Sequence, residues 1–316
     1  MTADMRRRPS QSANENRKGI SRVALAAFAA IPPYVWLLFF FLAPFLIVLK
    51  ISFSEAVIAQ PPYTPTFSLS DGISGLLEAV KSFTIFNYTF LTEDSLYWRS
   101  YLSSLRIAAI STVFALIIGF PIAYAMVRTG TRWRPLLVAL VILPFWTSFL
   151  IRVYAWIGIL KRDGLLNQLL LSSGLISEPL TILNTDLAVY IGIVYGYLPF
   201  MILPVYAALE RQDRSLLEAA ADLGSPPFLA FWQVTVRLSL PGIIAGCLLV
   251  FIPAVGEFVV PDLLGGSSTL MIGKTLWTEF FNNRDWPLAS AVAVLLVLVL
   301  VVPITLFQRA QRRGEL

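Results

Sequence analysis

Histidine is absent from this 316-residue chain, so no imidazole is available as general base, metal ligand or near-neutral switch. Cysteine occurs once, at Cys247, which excludes an internal disulfide and a cysteine-based metal site. Inside an apolar run, that thiol reads as a small packing residue. Charge is scarce too: 14% of residues are Asp, Glu, Lys or Arg and 57% are apolar, where a soluble domain carries about a quarter charged. These shortages exclude a disordered chain and argue against a water-soluble enzyme. What the chain has instead is long stretches with no charge at all. It reads as an all-α membrane protein.

The stretches can be counted between charges. Arg22 to Lys50 encloses 27 uncharged residues, Arg106 to Arg128 21, Asp186 to Glu210 23, Arg237 to Glu257 19, and Asp285 to Arg309 23. A helix crosses the hydrocarbon core with about 20 such residues. A sixth stretch, Arg134 to Arg152, holds only 17 but continues as VYAWIGIL to Lys161. Six transmembrane helices are therefore expected, at about 24–50, 100–127, 135–160, 187–209, 240–260 and 287–308. The apolar segment from Leu165 to Leu183 is interrupted by SSG and Pro179, which suits an interfacial helix or loop. The first stretch is too long for a signal-peptide core of roughly 7–15 residues, so it is expected to stay as an uncleaved anchor. Residues 1–22 and 309–316 are expected to form basic tails, the first of them mobile.

Lys and Arg set the expected orientation. With both termini cytoplasmic, the inner segments hold 15 of them and the outer segments seven, with Arg106 and Arg152 in or beside spans. Gly192 and Gly196, and Gly242 and Gly246, are spaced for close helix approach, with packing inside one bundle favoured over a subunit contact.

The inner loop from Glu210 to Pro241 is much longer than a turn. Ser215 and Glu218 have capping-box spacing, Ala219, Ala220 and Ala221 favour helix, and Gly224 suits a left-handed stop. Ser225-Pro226 then predicts a second short helix, with Ser225 as its cap. Such short helices are marginal alone, so the loop reads either as a docking element or as an amphipathic interfacial helix.

EAAADLG, Glu218 to Gly224, resembles the signature of permease subunits of ABC importers, although Arg237 stands where that signature usually has proline. LPFWTSFLIRVYAW from Leu143, FIPAVGEFVVPDLLGG from Phe251, FNNRDWP from Phe281 and PPYTP from Pro61 resemble the polyamine permeases, most of all the putrescine branch. The resemblance implies a type I ABC importer permease fold in a bacterial inner membrane. It implies a second homologous permease, two ATPase subunits and a periplasmic polyamine-binding protein as partners. In that architecture Ser215, Glu218, Ala219, Ala220 and Gly224 belong to the ATPase-coupling helix. ATP and Mg would then sit on the ATPase subunits, with no cofactor, metal or nucleic acid on this chain. Ile272 to Thr275 imitates the end of a phosphate-binding loop but lacks its first glycine, having Ser268 there.

Five residues are candidates for a substrate pathway. Glu257 ends the fifth stretch, and an acid beside a span faces a cavity or a partner. It is expected either to attract an ammonium group or to pair with Arg106 or Arg152, and Asp262 could share either role. Trp146, placed deep in its span, with Tyr154 and Tyr197, offers aromatic faces to alkylammonium groups, although belt or core packing is their commoner use. An ion-coupled secondary transporter of organic cations and a membrane-embedded enzyme are the competing readings. The first lacks clear paired repeats, and the second lacks a catalytic cluster.

Overall fold

The computed structural model describes residues 31–66, 81–213 and 215–312. The two basic tails, as far as Arg22 and beyond Arg312, lie outside the described residues, as does most of the first outer loop. Two compact units are present, dividing between Ile51 and Ser52. The described part of the first belongs to the helix α1 (Ile31–Ser52), which ends at that boundary and whose WLLFFFL run is exposed throughout.

The second unit is helical apart from a two-residue ribbon, with Glu55–Ala56 pairing antiparallel to Tyr63–Thr64. Its helices are α2 (Phe86–Glu93), α3 (Ser95–Arg128), α4 (Arg134–Ile142), α5 (Phe149–Leu160) and α6 (Leu165–Ser172). They are followed by α7 (Asp186–Glu210), α8 (Ser215–Asp222) and α9 (Pro227–Val255). The last three are α10 (Val259–Leu263), α11 (Ile272–Trp277) and α12 (Trp286–Arg312). Helices α1, α3, α7, α9 and α12 are each long and apolar enough to cross a membrane.

The third span in chain order, expected as one segment over 135–160, is not a single helix. It is a bent pair, Arg134–Trp146 and Phe149–Ser172, at 88° to each other. The cause is local. Pro144 has no amide hydrogen to donate, the chain tightens into a 3-10 turn over Leu143–Trp146, and Thr147 is extended. Arg152 then turns its guanidinium back onto the carbonyls of Pro144 and Thr147 at the break, and lies 5.1 Å over the Phe145 ring. The Leu165–Leu183 segment becomes α6 and a loop clamped by Asn167, which both donates to and accepts from the backbone of Leu180 at 2.9 Å.

The interior is the packed trio α3, α7 and α9. Their approach is set by missing side chains. A Cβ on Gly242 would lie 2.4 Å from the Ala208 Cβ and 2.6 Å from the Pro204 oxygen. One on Gly246 would meet the Met201 sulfur at 2.9 Å, and one on Gly192 would meet Leu264 and Val260 at 2.6 and 2.7 Å. Both glycine pairs thus pack within the bundle. Met201, Ile202, Val205 and Val250 fill one part of this core, and Ile193, Val189, Val260 and Met271 fill the other. Cys247 packs at the edge of the former. Helices α11 and α12 close against α3 through buried polar links. Ser104 accepts the Ile272 amide at 2.7 Å, Tyr101 donates to the Val292 carbonyl at 2.7 Å, and Tyr97 donates to Glu279 at 2.8 Å.

Candidate functional site

Two regions at opposite ends of α9 carry the candidate residues. At its N-terminal end, α8 forms from the alanine-rich run and stops where glycine allows it. Gly224 has φ +78°, its amide donates to Ala221 at 2.9 Å, and Ser225 donates to Ala220 at 3.0 Å. That pair of bonds is the Schellman closure, and it satisfies carbonyls the helix would otherwise leave open. The helix start departs from the expected capping box. Ser215 is the first helical residue, and the Asp213 carboxylate takes its amide proton at 3.0 Å. Hydrogen bonds from Ser215 hold the Asp213 carboxyl below the usual carboxylate range.

The second short helix of the loop is also corrected. Pro226 is the cap and Pro227 the first residue of α9, which runs on to Val255 without a separate loop helix. The reason is that Pro227 is as good a helix starter as Pro226, and the helix continues through a π-helical turn at Phe231–Val236 and past Pro241 and Pro253. Phe231 wedges edge-on against Tyr124 and Phe120 of α3, at 5.4 and 5.9 Å between ring centroids, and fixes this end of α9 to the bundle. Leu223 and Phe228, at 89% and 75% exposure, are left uncovered with Leu216 and Trp232. Between α8 and the bundle lies a hollow of about 540 Å³. Its wall includes Arg134, which donates to the Val127 carbonyl at 2.6 Å and meets Glu210 at 3.4 Å, where Tyr206 also donates at 2.7 Å.

At the far end of α9 the chain turns through Gly256. Glu257 is only 7% exposed. One carboxylate oxygen accepts the amides of Val259 at 3.0 Å and Val260 at 3.4 Å, so it caps α10, and the other accepts the Tyr197 hydroxyl. This role was not among those expected. The carboxylate is paired with neither arginine: Arg152 is committed to the bent span, and Arg106 is exposed on α3. A short helix needs its first amides satisfied, and a glutamate two places ahead of it reaches them. The pattern Gly-Glu-x-Val-Val-Pro carries that signal in retrospect.

Of the pathway candidates, the structure brings together Tyr197 and Glu257. Asp262 sits on the helix that Glu257 caps and pairs with Lys274 at 3.5 Å. Trp146 is not deep in a straight span. It lies at the bend, 84% exposed, and Tyr154 is 59% exposed on α5. They approach the Tyr197 region only indirectly, through Phe145 against Phe200 at 5.1 Å and Phe200 beside Tyr197 at 6.2 Å. Sequence reasoning missed an aromatic ladder, Phe258 stacked on Trp277 at 4.5 Å and Trp277 tilted against Phe281 at 4.1 Å. It also missed Gly273, where a Cβ would meet the Gly256 and Glu257 carbonyls at 2.4 and 2.6 Å. The glycine of the false phosphate loop is there to let α11 pack on this turn.

Residues 12–314 match the family described as binding-protein-dependent transport system inner membrane component, and the chain belongs to it. The spermidine/putrescine transport system permease protein PotB of Haemophilus influenzae is 43% identical over 279 residues, covering 88% of this chain and 91% of that protein. PotB of Escherichia coli is 44% identical over 230 residues, covering 73% and 83%. Among solved structures, a chain of a bacterial ABC transporter involved in alginate import superposes with a TM-score of 0.65 at 16% identity, covering 95% of this chain and 99% of its own. A methionine ABC transporter in an inward-facing conformation gives 0.53 at 19% identity, covering 69% and 95%. The fold is that of a type I ABC importer permease. The protein is a multi-pass inner-membrane permease subunit of an ABC importer, a transport component and not an enzyme.

Proposed function

We propose, with membership of this family as the premise, that the chain is one of two permease subunits that carry a polyamine from periplasm to cytoplasm. The uncovered apolar face of α8 and the start of α9 carries the coupling part of this reading. Leu216, Leu223, Phe228 and Trp232 lie on an element closed by a left-handed glycine and tied to the bundle by Phe231. Burying such side chains in a cleft of an ATPase subunit is favourable by roughly 1.5–3 kcal/mol each, less the cost of ordering them. The partners are a homologous permease, two ATPase subunits that hold ATP and Mg, and a periplasmic binding protein. Both termini and α8 then face the cytoplasm, in line with the 15 inner Lys and Arg.

The amine part is supported by the relatives named for spermidine and putrescine, at 43% and 44% identity. Putrescine stays the favoured member from the resemblance of the sequence blocks, with spermidine beside it. An ion-coupled carrier would need no exposed docking face. The test is uptake of labelled putrescine and spermidine by the complex reconstituted in vesicles, with and without binding protein and ATP. Uptake dependent on both is expected, and uptake driven by an ion gradient alone would overturn the reading.

A further inference from the structure

We infer that the turn between α3 and α4 holds the phosphate headgroup of an anionic phospholipid, whose acyl chain lies along the exposed leucines of α4. The inference uses the membrane location of the family and is independent of which amine is carried.

Helix α4 is apolar on two sides. Leu137, Val138 and Val141 lean on the core that α3 and α7 share. On the other side Leu136, Leu140 and Leu143 are 49%, 52% and 51% exposed, at the three- and four-residue spacing that sets them in one row. No residue of α4, or of the 3-10 turn after it, is buried. A helix that is apolar all round and yet uncovered has hydrocarbon as its solvent. From Arg134 to Trp146 this half of the bent span rises about 20 Å, against a hydrocarbon core of about 30 Å. The break at Pro144 therefore falls inside the bilayer, and its depth is set by whatever holds the start of α4.

That start is basic and aromatic. Arg132 is exposed and makes no hydrogen bond or ion pair among the described residues. Trp133 beside it is 58% exposed, and tryptophan is a residue of the headgroup level. Arg128, the last residue of α3, is also exposed and donates only to the Tyr124 hydroxyl, which leaves most of its N–H groups open. Arg134, by contrast, is spent on the carbonyls of Val127 and Thr129 and on Glu210. A Cβ on Gly130 would meet nothing within 4 Å, so the turn is uncovered. No acid occurs between Asp94 and Asp163 to neutralise these charges. Asp213 and Glu218 share a hollow with Arg128, but Arg132 does not border it.

The order of the groups selects the ligand. A phosphate accepts from a guanidinium through two oxygens, and basic clusters at helix ends suit anionic headgroups. Free phosphate would use the arginines and leave the leucine row unexplained. The row leads from Arg132 through Trp133 toward the Pro144 break, so a molecule with an anionic head and a hydrocarbon tail matches it from end to end. Occupation would fix the depth of the break and of Trp146 with it.

The test uses the full complex in nanodiscs of phosphatidylcholine. A trace of phosphatidylglycerol, or of phosphatidylcholine, carries a photoreactive acyl chain, and cross-links are mapped by peptide mass. Phosphatidylglycerol is expected to label the stretch from Leu136 to Leu143 several-fold more than the phosphatidylcholine probe does. Arg132→Gln should cut that labelling about fivefold, Arg128→Gln should cut it less, and Arg132→Lys should retain most of it. Labelling by the phosphatidylcholine probe should be the same in all of these. Arg132 bonds to no described group, so its variants should assemble, and gel filtration of the complex verifies that. Arg162→Gln, in the exposed turn after α5, should change nothing. Equal labelling by the two lipids, or phosphatidylglycerol labelling indifferent to Arg132→Gln, would overturn the inference. So would displacement of the label by inorganic phosphate, which would make the turn a free-anion site. Absence of label from both lipids would overturn it as well, by giving the leucine row to a protein neighbour.

Discussion

Gly242 and Gly224 lie 18 residues apart on one continuous piece of chain and are glycine for opposite reasons. At Gly242 the backbone is ordinary helix and the space is full, with neighbours 2.4 and 2.6 Å from where a Cβ would stand. At Gly224 the space is empty and the backbone is unusual, with φ +78° and nothing within 4 Å. The interior of the bundle is therefore specified by volume, and the loop between α7 and α9 by backbone conformation. A region specified by volume fails when anything is added. A region specified by conformation keeps its surroundings and loses its shape, which suits an exposed element such as α8.

The sharpest test of this contrast is Gly242→Val. Two γ-methyls against the Pro204 backbone are expected to cost more than about 3 kcal/mol, since backbone cannot give way as a side chain can. Loss of monodisperse complex on gel filtration is the readout, and a stable variant would break the comparison at once.

Next in size is Glu257→Ala, which removes a helix cap and strands the Tyr197 hydroxyl, for about 1–3 kcal/mol in thermal stability of the purified complex. Glu257→Gln retains an acceptor and should come close to wild type in stability and in amine uptake. Lost uptake at full stability would instead give the carboxylate's charge a part in transport.

Gly224→Val should be gentler still on the bundle, with left-handed strain of about 1–2 kcal/mol confined to the loop. Gly224→Asp should be milder, because aspartate tolerates that conformation better. Both should insert normally and lose ATPase during purification. Bundle destabilisation equal to that of Gly242→Val would show that the two glycines do the same job.

The smallest effect belongs to Asp213. Its carboxyl is depressed by Ser215, so its contribution to the start of α8 is present above the unfolded value near 4 and is lost as pH falls through the lower folded value. Protease sensitivity of the loop should therefore rise only below about pH 4, and Asp213→Asn should flatten that rise.

Much of this fold was legible because membranes make charge expensive. Charge-free windows placed the spans at Asp186–Glu210 and Trp286–Arg312 to within a few residues at their starts. The left-handed stop at Gly224 followed from an alanine run ending in glycine. What escaped notice depended on contacts or on competing local choices. The third span looked continuous because the window is apolar throughout, while the bend is decided by Pro144 together with an arginine folding back on freed carbonyls. Ser215 matched a capping pattern, yet Asp213 is a stronger acceptor two residues earlier. The role of Glu257 required knowing that a five-residue helix follows it.

The continuity of α9 has a mechanical consequence. Its 29 residues span about 43 Å, joined to α8 by a linkage of four residues, Leu223 to Pro226, with little slack. Gly242, where the rod touches α7 most closely, is near its midpoint. A rod held there behaves as a see-saw with arms of nearly equal length. A tilt of about 10° shifts each end by roughly 3–4 Å in opposite senses, from a rise of about 1.5 Å per residue. Were the α8 end displaced, such a tilt would return the movement, at similar amplitude and reversed direction, to the turn where Glu257 holds α10 and Tyr197. Gearing of this kind needs no relay of side chains. It follows from a continuous helix, a tight fulcrum and a short link, with the π-helical turn at Phe231–Val236 and Pro241 and Pro253 as the places where that helix can bend.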